Sequence, residues 1–517
     1  MLKEALQKKE FVITCEFVPG RGKSGGSVEA AGEFAKEASS SGFRIHAVSL
    51  TDNPGGNPAI IPDALAPEIL KNGLEALVHI SCRDLNRNAL ESRATALSRA
   101  GVDNVLVITG DYPESGFEGH AAPVFDLDAV QAIRYLKALN AGLEVPGMKK
   151  GTTNRLPATN FLVGAVVSPF KLTEEELIPQ FFKLEKKIAA GADFIIPQLG
   201  YDMRKFLEVK RYLDSRGLKV PLFGNVYVLS AGAAKAMNAG KIPGCVVTDE
   251  LVKVLEEEGK DADKGKAKRL ERAAKMVAIF KGMGFQGVHI GGFALKIQDF
   301  RFIVDRAAQL ESRWEEFVPE ICFSRKGEYF AFPPPKSYRP GEADPDPLAG
   351  VGITGTPFMY SFALFMHHIL FERQSLGHQM MAGWFRLVGD RSLPARLTHF
   401  QESISKQVLF GCRDCGDCGL SDMAYCCPQG GCAKQQRNGP CGGSRDGMCE
   451  VYPDEKPCVW TLVYKRLKSV RRLDEMRSQY VPPRMHELEH TSGWANYFLN
   501  RDHAAVPAAP KPESPPG

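Results

Sequence analysis

Nine of the chain's 13 cysteines lie between Cys412 and Cys458, and they begin with Cys412-x-x-Cys415-x-x-Cys418. Three thiolates at that spacing reach one centre from a single stretch of chain, so the first legible chemistry is that of a metal ion or an iron–sulfur cluster. In the common ferredoxin pattern the fourth ligand follows three residues later, before a proline. Here the Cys-Pro pair is Cys427-Pro428, displaced by an insertion that includes Cys426. The spacing favours a [4Fe-4S] cluster on Cys412, Cys415, Cys418 and Cys427, with zinc as the alternative. Cys432, Cys441, Cys449 and Cys458 are left for a second metal or cluster, and spacing does not fix how the ligands are shared. A zinc-stapled domain that only packs against its neighbour is the purely structural alternative. Cys15, Cys82, Cys245 and Cys322 are scattered, as small buried thiols are.

The rest of the reactive side chains must be placed by the elements that carry them. Up to about residue 311 the chain repeats one rhythm: a short apolar run, a polar residue at its end, then a longer amphipathic segment. The eight runs are Phe11 to Phe17, Ile45 to Leu50, Ala76 to Ser81, Val105 to Ile108, Phe161 to Val167, Phe194 to Gln198, Pro221 to Val228 and Gly287 to Ile290. Ser27 to Ala38, Asn88 to Ala100, Leu172 to Ala190, Tyr201 to Ser215 and Lys264 to Gly282 read as helices, several closed by glycine. Eight strands alternating with helices predict an α/β fold, a (β/α)8 TIM barrel. The rival, an open doubly wound sheet, lacks its G-x-G-x-x-G fingerprint, since no third glycine completes Gly20-Arg-Gly22 or Gly25-Gly26 after the first strand.

A barrel builds its site from the carboxyl ends of its strands. The residues there are Glu16, Thr51 with Asp52, His79, Asp111, Ser168, Gln198, Asn225 and Gly291-Gly292. Alternation puts Glu16 on one face with Thr14 and Val12, where partial desolvation is expected to raise its pKa and make it a general acid. Thr109-Gly110-Asp111 sets a carboxylate behind a glycine that lets backbone approach closely. Gln198 offers an amide that both donates and accepts, which suits the edge of a heteroaromatic ring. The loop Asp52-Asn-Pro-Gly-Gly-Asn-Pro58 can present backbone N–H groups to an anion. Each of these has a bland counterpart: a solvated carboxylate, a common turn, a helix cap, a core histidine.

Composition bounds the rest. With 44% hydrophobic and 24% charged residues the 517-residue chain is ordinary and soluble, and 65 basic against 61 acidic residues give no basis for nucleic-acid binding. The start, MLKEALQKKEFV, has charges where a signal peptide needs an apolar core, and Pro357 to Phe371 is too short and polar to span a bilayer, so a cytosolic location is expected. In that reducing compartment clustered cysteines are metal ligands rather than disulfides. The expected organisation is a barrel over 1–311, a proline-rich linker over 312–356, a small, mostly helical cysteine-rich domain over 357–490 and a disordered tail over 491–517.

Taken in order, Cys15-Glu16-Phe17, Val48-Ser-Leu-Thr51, His79-Ile-Ser-Cys82, Thr109-Gly-Asp111, Ala189-Ala-Gly-Ala-Asp193 and Pro197-Gln198 resemble the motifs of methylenetetrahydrofolate reductases, flavin-bearing (β/α)8 barrels. From residue 357 the chain resembles the cysteine-rich module of the accessory subunit that accompanies such reductases in acetogens. The matching string is Gly411-Cys-x-x-Cys-x-x-Cys418, Cys427-Pro428, Cys432, Asn438-Gly-Pro-Cys-Gly-Gly443, Cys449 and Cys458-Val-Trp460. The resemblance implies reduction of 5,10-methylenetetrahydrofolate to 5-methyltetrahydrofolate. By it Glu16 corresponds to the general acid that opens the imidazolidine ring, Asp111 to the carboxylate that favours the cationic iminium, and Gln198 to the amide on the pterin edge. Flavin contacts would fall on Thr51, His79, Thr109, Gly110, Asp111 and Lys187. The family's arginine before Gly-Asp is Thr109 here, and its aromatic and histidine after the fifth strand are Val167 and Ser168, which leaves FMN as the alternative to FAD. Electrons would come from NAD(P)H or a donor protein, relayed or docked by the cysteine domain, in a homo-oligomer or a complex with an electron-transfer partner. The competing readings are a flavin-free folate methyltransferase barrel with structural zinc, and a non-catalytic zinc-ribbon binding module.

Overall fold

The computed structural model describes residues 1–505 apart from 115, 336 and 339–354. Eight strands, β1 Val12–Phe17, β2 Ala47–Leu50, β3 Ala76–Ser81, β4 Asn104–Ile108, β5 Leu162–Val167, β6 Phe194–Pro197, β7 Phe223–Val228 and β8 Gly287–Gly292, form one parallel sheet. Its order is β6-β5-β4-β3-β2-β1-β8-β7. Beside β7, Ile195 of β6 bridges Leu222 in parallel and donates its N–H to Pro221 O at 2.8 Å, which closes the sheet on itself. The alternation read from sequence is therefore a (β/α)8 barrel, each strand lying next to its sequence neighbours.

Strand alternation sorts the barrel interior into layers. Val12, Ala47, Leu77, Leu106, Leu162, Phe194 and Phe223 fill the floor, which Leu2 and Ala5 of the helix Leu2–Gln7 close from below. Two residues further along β1, β2, β3 and β8 the inward positions are polar: Thr14, Ser49, His79 and His289 are buried and hydrogen-bonded in pairs. Glu16 stands one step above them. An apolar floor thus supports a buried polar layer directly beneath the mouth.

The barrel does not stop where composition changes. Helix Ile297–Leu310 runs into a 3-10 stretch, Glu311–Ile321, whose Trp314, Phe317, Val318 and Ile321 are buried, and Phe332 is buried too. Residues 312–335, read as linker, are therefore packed, and 339–354 lie outside the described residues. The C-terminal module begins with helices Phe358–Met366, Leu376–Val388 and Leu393–Phe410, continues through the cysteine loops, and ends in helices Val459–Ser469 and Leu473–Ser478 that pack across barrel helix Glu174–Ala189. Residues 491–505, assigned to the tail from composition, are folded: helix Gly493–Phe498 buries Phe498, and His503 is 3% exposed. Aromatic side chains rather than the alanine and proline that follow decide the matter there. Residues 506–517 lie outside the described residues. No helix among the described residues is long and apolar enough to cross a membrane.

Candidate functional site

A cavity of about 280 Å³ opens at the carboxyl ends of the strands. Glu16, Thr51, His79, Thr109, Gly110, Asp111, Lys187 and Gln198 all line it, as do Ser168 and Asn225. His289 lines it too, and so do Lys434, Cys441 and Glu450 from the C-terminal module. Sequence reading missed His289 because it lies inside a strand run rather than at its end. Alternation held the signal, since His289 faces inward beside Thr14 on the neighbouring strand.

His289 Nε2 is 3.1 Å from Glu16 Oε2, and its Nδ1 is 2.8 Å from Thr14 Oγ1, which also reaches Val288 O at 3.3 Å. Two proton arrangements satisfy this chain. If the Thr14 hydroxyl donates to Nδ1, then Nε2–H donates to an ionised Glu16. If it donates to Val288 O instead, Nδ1 must carry a hydrogen, and the Glu16–His289 contact then needs one further proton between its members. The pair can thus hold or release a proton by rotation of one hydroxyl. Burial pushes the Glu16 carboxyl up, but the hydrogen bond from His289 and the fields of His289 and His79 outweigh it, so the net shift is downward. The upward shift expected from desolvation alone is reversed by a partner that the sequence reading did not include. His79, bonded to Ser49 Oγ at 2.8 Å, is pushed down to about 4, chiefly by burial, and is neutral at pH 7. Ligand atoms of Glu16, His79 and His289 lie within 4.8 Å of one another. Both His289 nitrogens and His79 Nε2 are already committed, so the trio is built as a proton site rather than a cation site.

Asp111 Oδ2 accepts from Gly55 N–H at 2.9 Å. The anion met by the Asp52–Pro58 loop is thus the protein's own carboxylate, while Asp52 turns away to Arg93 at 2.7 Å and Ser81 N–H at 3.0 Å. Burial raises the Asp111 pKa against the opposing field of Lys434. Gly110 has φ +88°, and a side chain there would meet Ser81 Oγ at 2.1 Å, so the close approach that glycine permits is to the end of β3. Gln198 Oε1 accepts from Leu199 N–H at 2.9 Å, which leaves its amide N–H groups for the cavity. Lys187 donates to Val166 O at 2.5 Å, and burial brings it down to about 7.

Thr51 Oγ1, Ser168 Oγ and Gln180 Nε2 line the cavity, buried and without a partner. Orphaned groups of this kind cost about 1–3 kcal/mol each unless something binds them. Donors and acceptors set around an apolar-walled slot fit the edge of a planar heteroaromatic ring, and a flavin meets that description.

The module is pinned over the cavity by polar contacts. Asp128, which caps helix Ala129–Asn140, also accepts from the N–H and Nδ2 of Asn438, both at 2.9 Å. Lys171 reaches Gly442 O and Ser444 O at 2.6 Å, and Lys183 reaches Gln436 Oε1 at 2.8 Å. Lys434 reaches Gly110 O at 2.7 Å and is ion-paired with Glu450. The Asn438–Gly443 string singled out in sequence is thus the docking segment, and Gly439, at φ +129°, lies against Lys183 where a side chain would come within 2.9 Å.

The module's thiols fall into two groups. Cys412, Cys415, Cys418 and Cys427 line one small cavity, beside Lys406. Cys432, Cys441, Cys449 and Cys458 line another, and Cys441 also lines the barrel cavity. Cys426 belongs to the apolar core. Burial pushes Cys415 and Cys441 up to about 12, protons that a bound cation would have to displace. Among the described residues no three of these sulfurs come within 4.8 Å of one another.

A family described as methylenetetrahydrofolate reductase matches residues 1–299, and one described as methylene-tetrahydrofolate reductase C terminal matches residues 394–487. The methylenetetrahydrofolate reductase (NADH) 1 of Arabidopsis thaliana is 25% identical over 226 residues, 42% of this chain and 35% of that one. Methylenetetrahydrofolate reductase 2 of Schizosaccharomyces pombe is 23% identical over 283 residues, 53% of this chain and 42% of that one. The probable methylenetetrahydrofolate reductase (NADH) of Oryza sativa is 28% identical over 155 residues, 29% of this chain and 24% of that one. The chain thus spans between a quarter and two fifths of the length of these relatives. Among solved structures, a Clostridium thermocellum protein described as binding two copies of 5-methyl-5,6,7,8-tetrahydrofolic acid aligns at TM-score 0.42 and 16% identity, over 60% of this chain and 99% of that one.

Proposed function

The chain belongs to the methylenetetrahydrofolate reductase family, and we propose that it reduces 5,10-methylenetetrahydrofolate to 5-methyltetrahydrofolate with electrons that enter through its own C-terminal module. The observation that carries this reading is the Glu16–His289–Thr14 chain, a proton source that faces a cavity with unpartnered ring-edge donors.

The net change is two electrons and two protons. The bond from the bridging carbon to N10 breaks, N10 takes a proton, and the carbon left on N5 takes a hydride equivalent to become methyl. Glu16 delivers the proton to N10, and His289, tied to Thr14, resupplies it. Neutral His79 adds no positive charge that would oppose the cationic carbon. Asp111 and the Gln198 amide hold the pterin edge, Asp111 from the side where positive charge develops. Thr51, Ser168 and Gln180 would hold the ring edge of a flavin, FAD or FMN, which when bound supplies the hydride. Lys187 gains its charge when an anion such as a cofactor phosphate comes beside it.

Two thiolate sites in series support an inward electron path. The site that includes Cys441 shares a wall with the barrel cavity, and the site at Cys412 has no lining residue in common with it. Both would hold iron–sulfur clusters, the inner one as the immediate donor. The test is anaerobic turnover of methylene-¹³C substrate by the full chain, with NADH, NADPH or reduced viologen as donor. A ¹³C methyl product supports the reading; no methyl product with any of the three, from protein shown to contain flavin and iron, sinks it.

A further inference from the structure

Fifteen of the 24 exposed large apolar side chains among the described residues lie between Phe358 and Leu409, a tenth of the chain. The last helix of this stretch, Leu393–Phe410, is inside out. Its buried positions are Glu402 and Lys406, which form a buried ion pair with each other, and Glu402 is further satisfied by Ser492 Oγ and Trp494 N–H. Its solvent face carries Leu397, Phe400, Ile404 and Val408, with Leu393 one turn before them, at steps of four, three, four and four. That is the spacing of a seam between packed helices. Helix Leu376–Val388 shows Leu376, Met380, Trp384 and Leu387 to solvent at steps of four, four and three. Arg386 and Arg396 flank the stripes, and no charged residue occupies a stripe position.

We propose that this face is the interface with a second copy of the chain, in which the two stripes of one copy pack against the same stripes of the other about a twofold axis. Area decides the occupant. At roughly 150–200 Å² for a full large side chain, scaled by how far each is exposed, the nine stripe residues offer on the order of 1,000 Å², whereas the largest patch on a soluble monomer is about 300–600 Å². A stable interface uses about 800 Å² per partner, permanent homodimers use more and are more apolar, and electron-transfer docking sites are small. A transient redox partner would leave most of this face in water. Residues 339–354 and 506–517 hold Leu348, Val351, Ile353 and Val506 as their large apolar side chains and have no aromatic ones. An isologous contact needs only that the patch fit itself, which uncharged stripes at helix-seam spacing do.

Sedimentation velocity and light scattering on the full chain test this. The expected species is an even multiple of the 56.7 kDa protomer at micromolar concentration. Leu397→Glu with Ile404→Glu should weaken association at least 100-fold and halve the mass, and Leu393→Glu with Val408→Glu should do the same. Phe302→Glu, on an exposed barrel position, should leave it unchanged. Far-UV circular dichroism must match the unaltered chain, as all four substituted positions are solvent-exposed in the protomer. A monomeric wild-type chain overturns the proposal, as does a double variant that stays as associated as the wild type. A wild-type monomer that floats with anionic phosphatidylglycerol vesicles also overturns it, in favour of a bilayer surface.

Discussion

Glu16→Gln isolates the proton from the geometry that holds it. Glutamine is nearly isosteric with glutamate and can keep the 3.1 Å contact with His289, so the cavity and the His289–Thr14 bond should survive. What disappears is the transferable proton. Loss of a positioned general acid costs about 10²–10⁴-fold, or about 2.7–5.5 kcal/mol of barrier at 1.36 kcal/mol per decade. Anaerobic single-turnover formation of the methyl product should fall by at least 100-fold, while reduction of the bound chromophore by dithionite and the substrate KM change little. His289→Gln gives the companion readout. Burial alone pushes the Glu16 carboxyl up, and His289 supplies most of what holds it down. Without His289 the alkaline limb of the rate, where the acid loses its proton, should therefore move to higher pH. A Glu16→Gln enzyme within tenfold of wild type would refute the assigned role. A limb that stays put or moves to lower pH in His289→Gln would refute the pairing.

Asn438→Ala strands the buried Val481 N–H and takes one of three N–H donors from Asp128 Oδ2, and should cost about 1–3 kcal/mol, read as a lower melting temperature that the barrel-mouth substitutions do not share. Cys415→Ser and Cys441→Ser should each remove about half of the iron and acid-labile sulfide, whereas Cys426→Ala, outside both groups, should remove none; equal losses at Cys426 would break the proposed partition. His503, held by Asp417 and Asp422, is raised to about 9 from 6.5. A raised histidine contributes its full stability below pH 6.5 and loses it as pH climbs through 9, so module melting should fall across that window in wild type and stay flatter in His503→Gln.

The barrel was legible because each of its eight strands is a short β-branched run bounded by turn chemistry, and the observed strands differ from those runs by no more than two residues at any end. Glu16 was legible for a second reason, the alternation that sets it above Thr14 and Val12. His289 obeys the same alternation but sits mid-run, so a search limited to strand ends passes over it. Its effect on Glu16 reverses a pKa argument that rested on burial alone. Lys434 and Glu450 had no local signal at all. They reach Asp111 from more than 300 residues away, through a docking surface made of hydrogen bonds donated by Lys171 and Lys183 and accepted by Asp128, none of which has a periodicity to betray it.

That docking surface bears on why the two parts occur in one chain. Buried lysines and an asparagine are poor glue by themselves, since each must recover the water it gives up. They are specific glue, however, because every partner is needed. Asn438 alone takes part in four hydrogen bonds across or beside the seam, and Lys171 lies against Gly442 and Ser444 on either side of Gly443. This fixes the peptide around Cys441 relative to Gln180 and Ser168, the residues left unpartnered in the barrel. An apolar contact of equal strength would tolerate sliding by a side chain's width, and electron transfer and hydride geometry do not. The same segment carries the Cys441 thiol to the cavity wall. Removal of the module should therefore disturb the barrel site itself, and a barrel truncated before residue 357 should show altered binding of the flavin proposed for it even when reduced chemically.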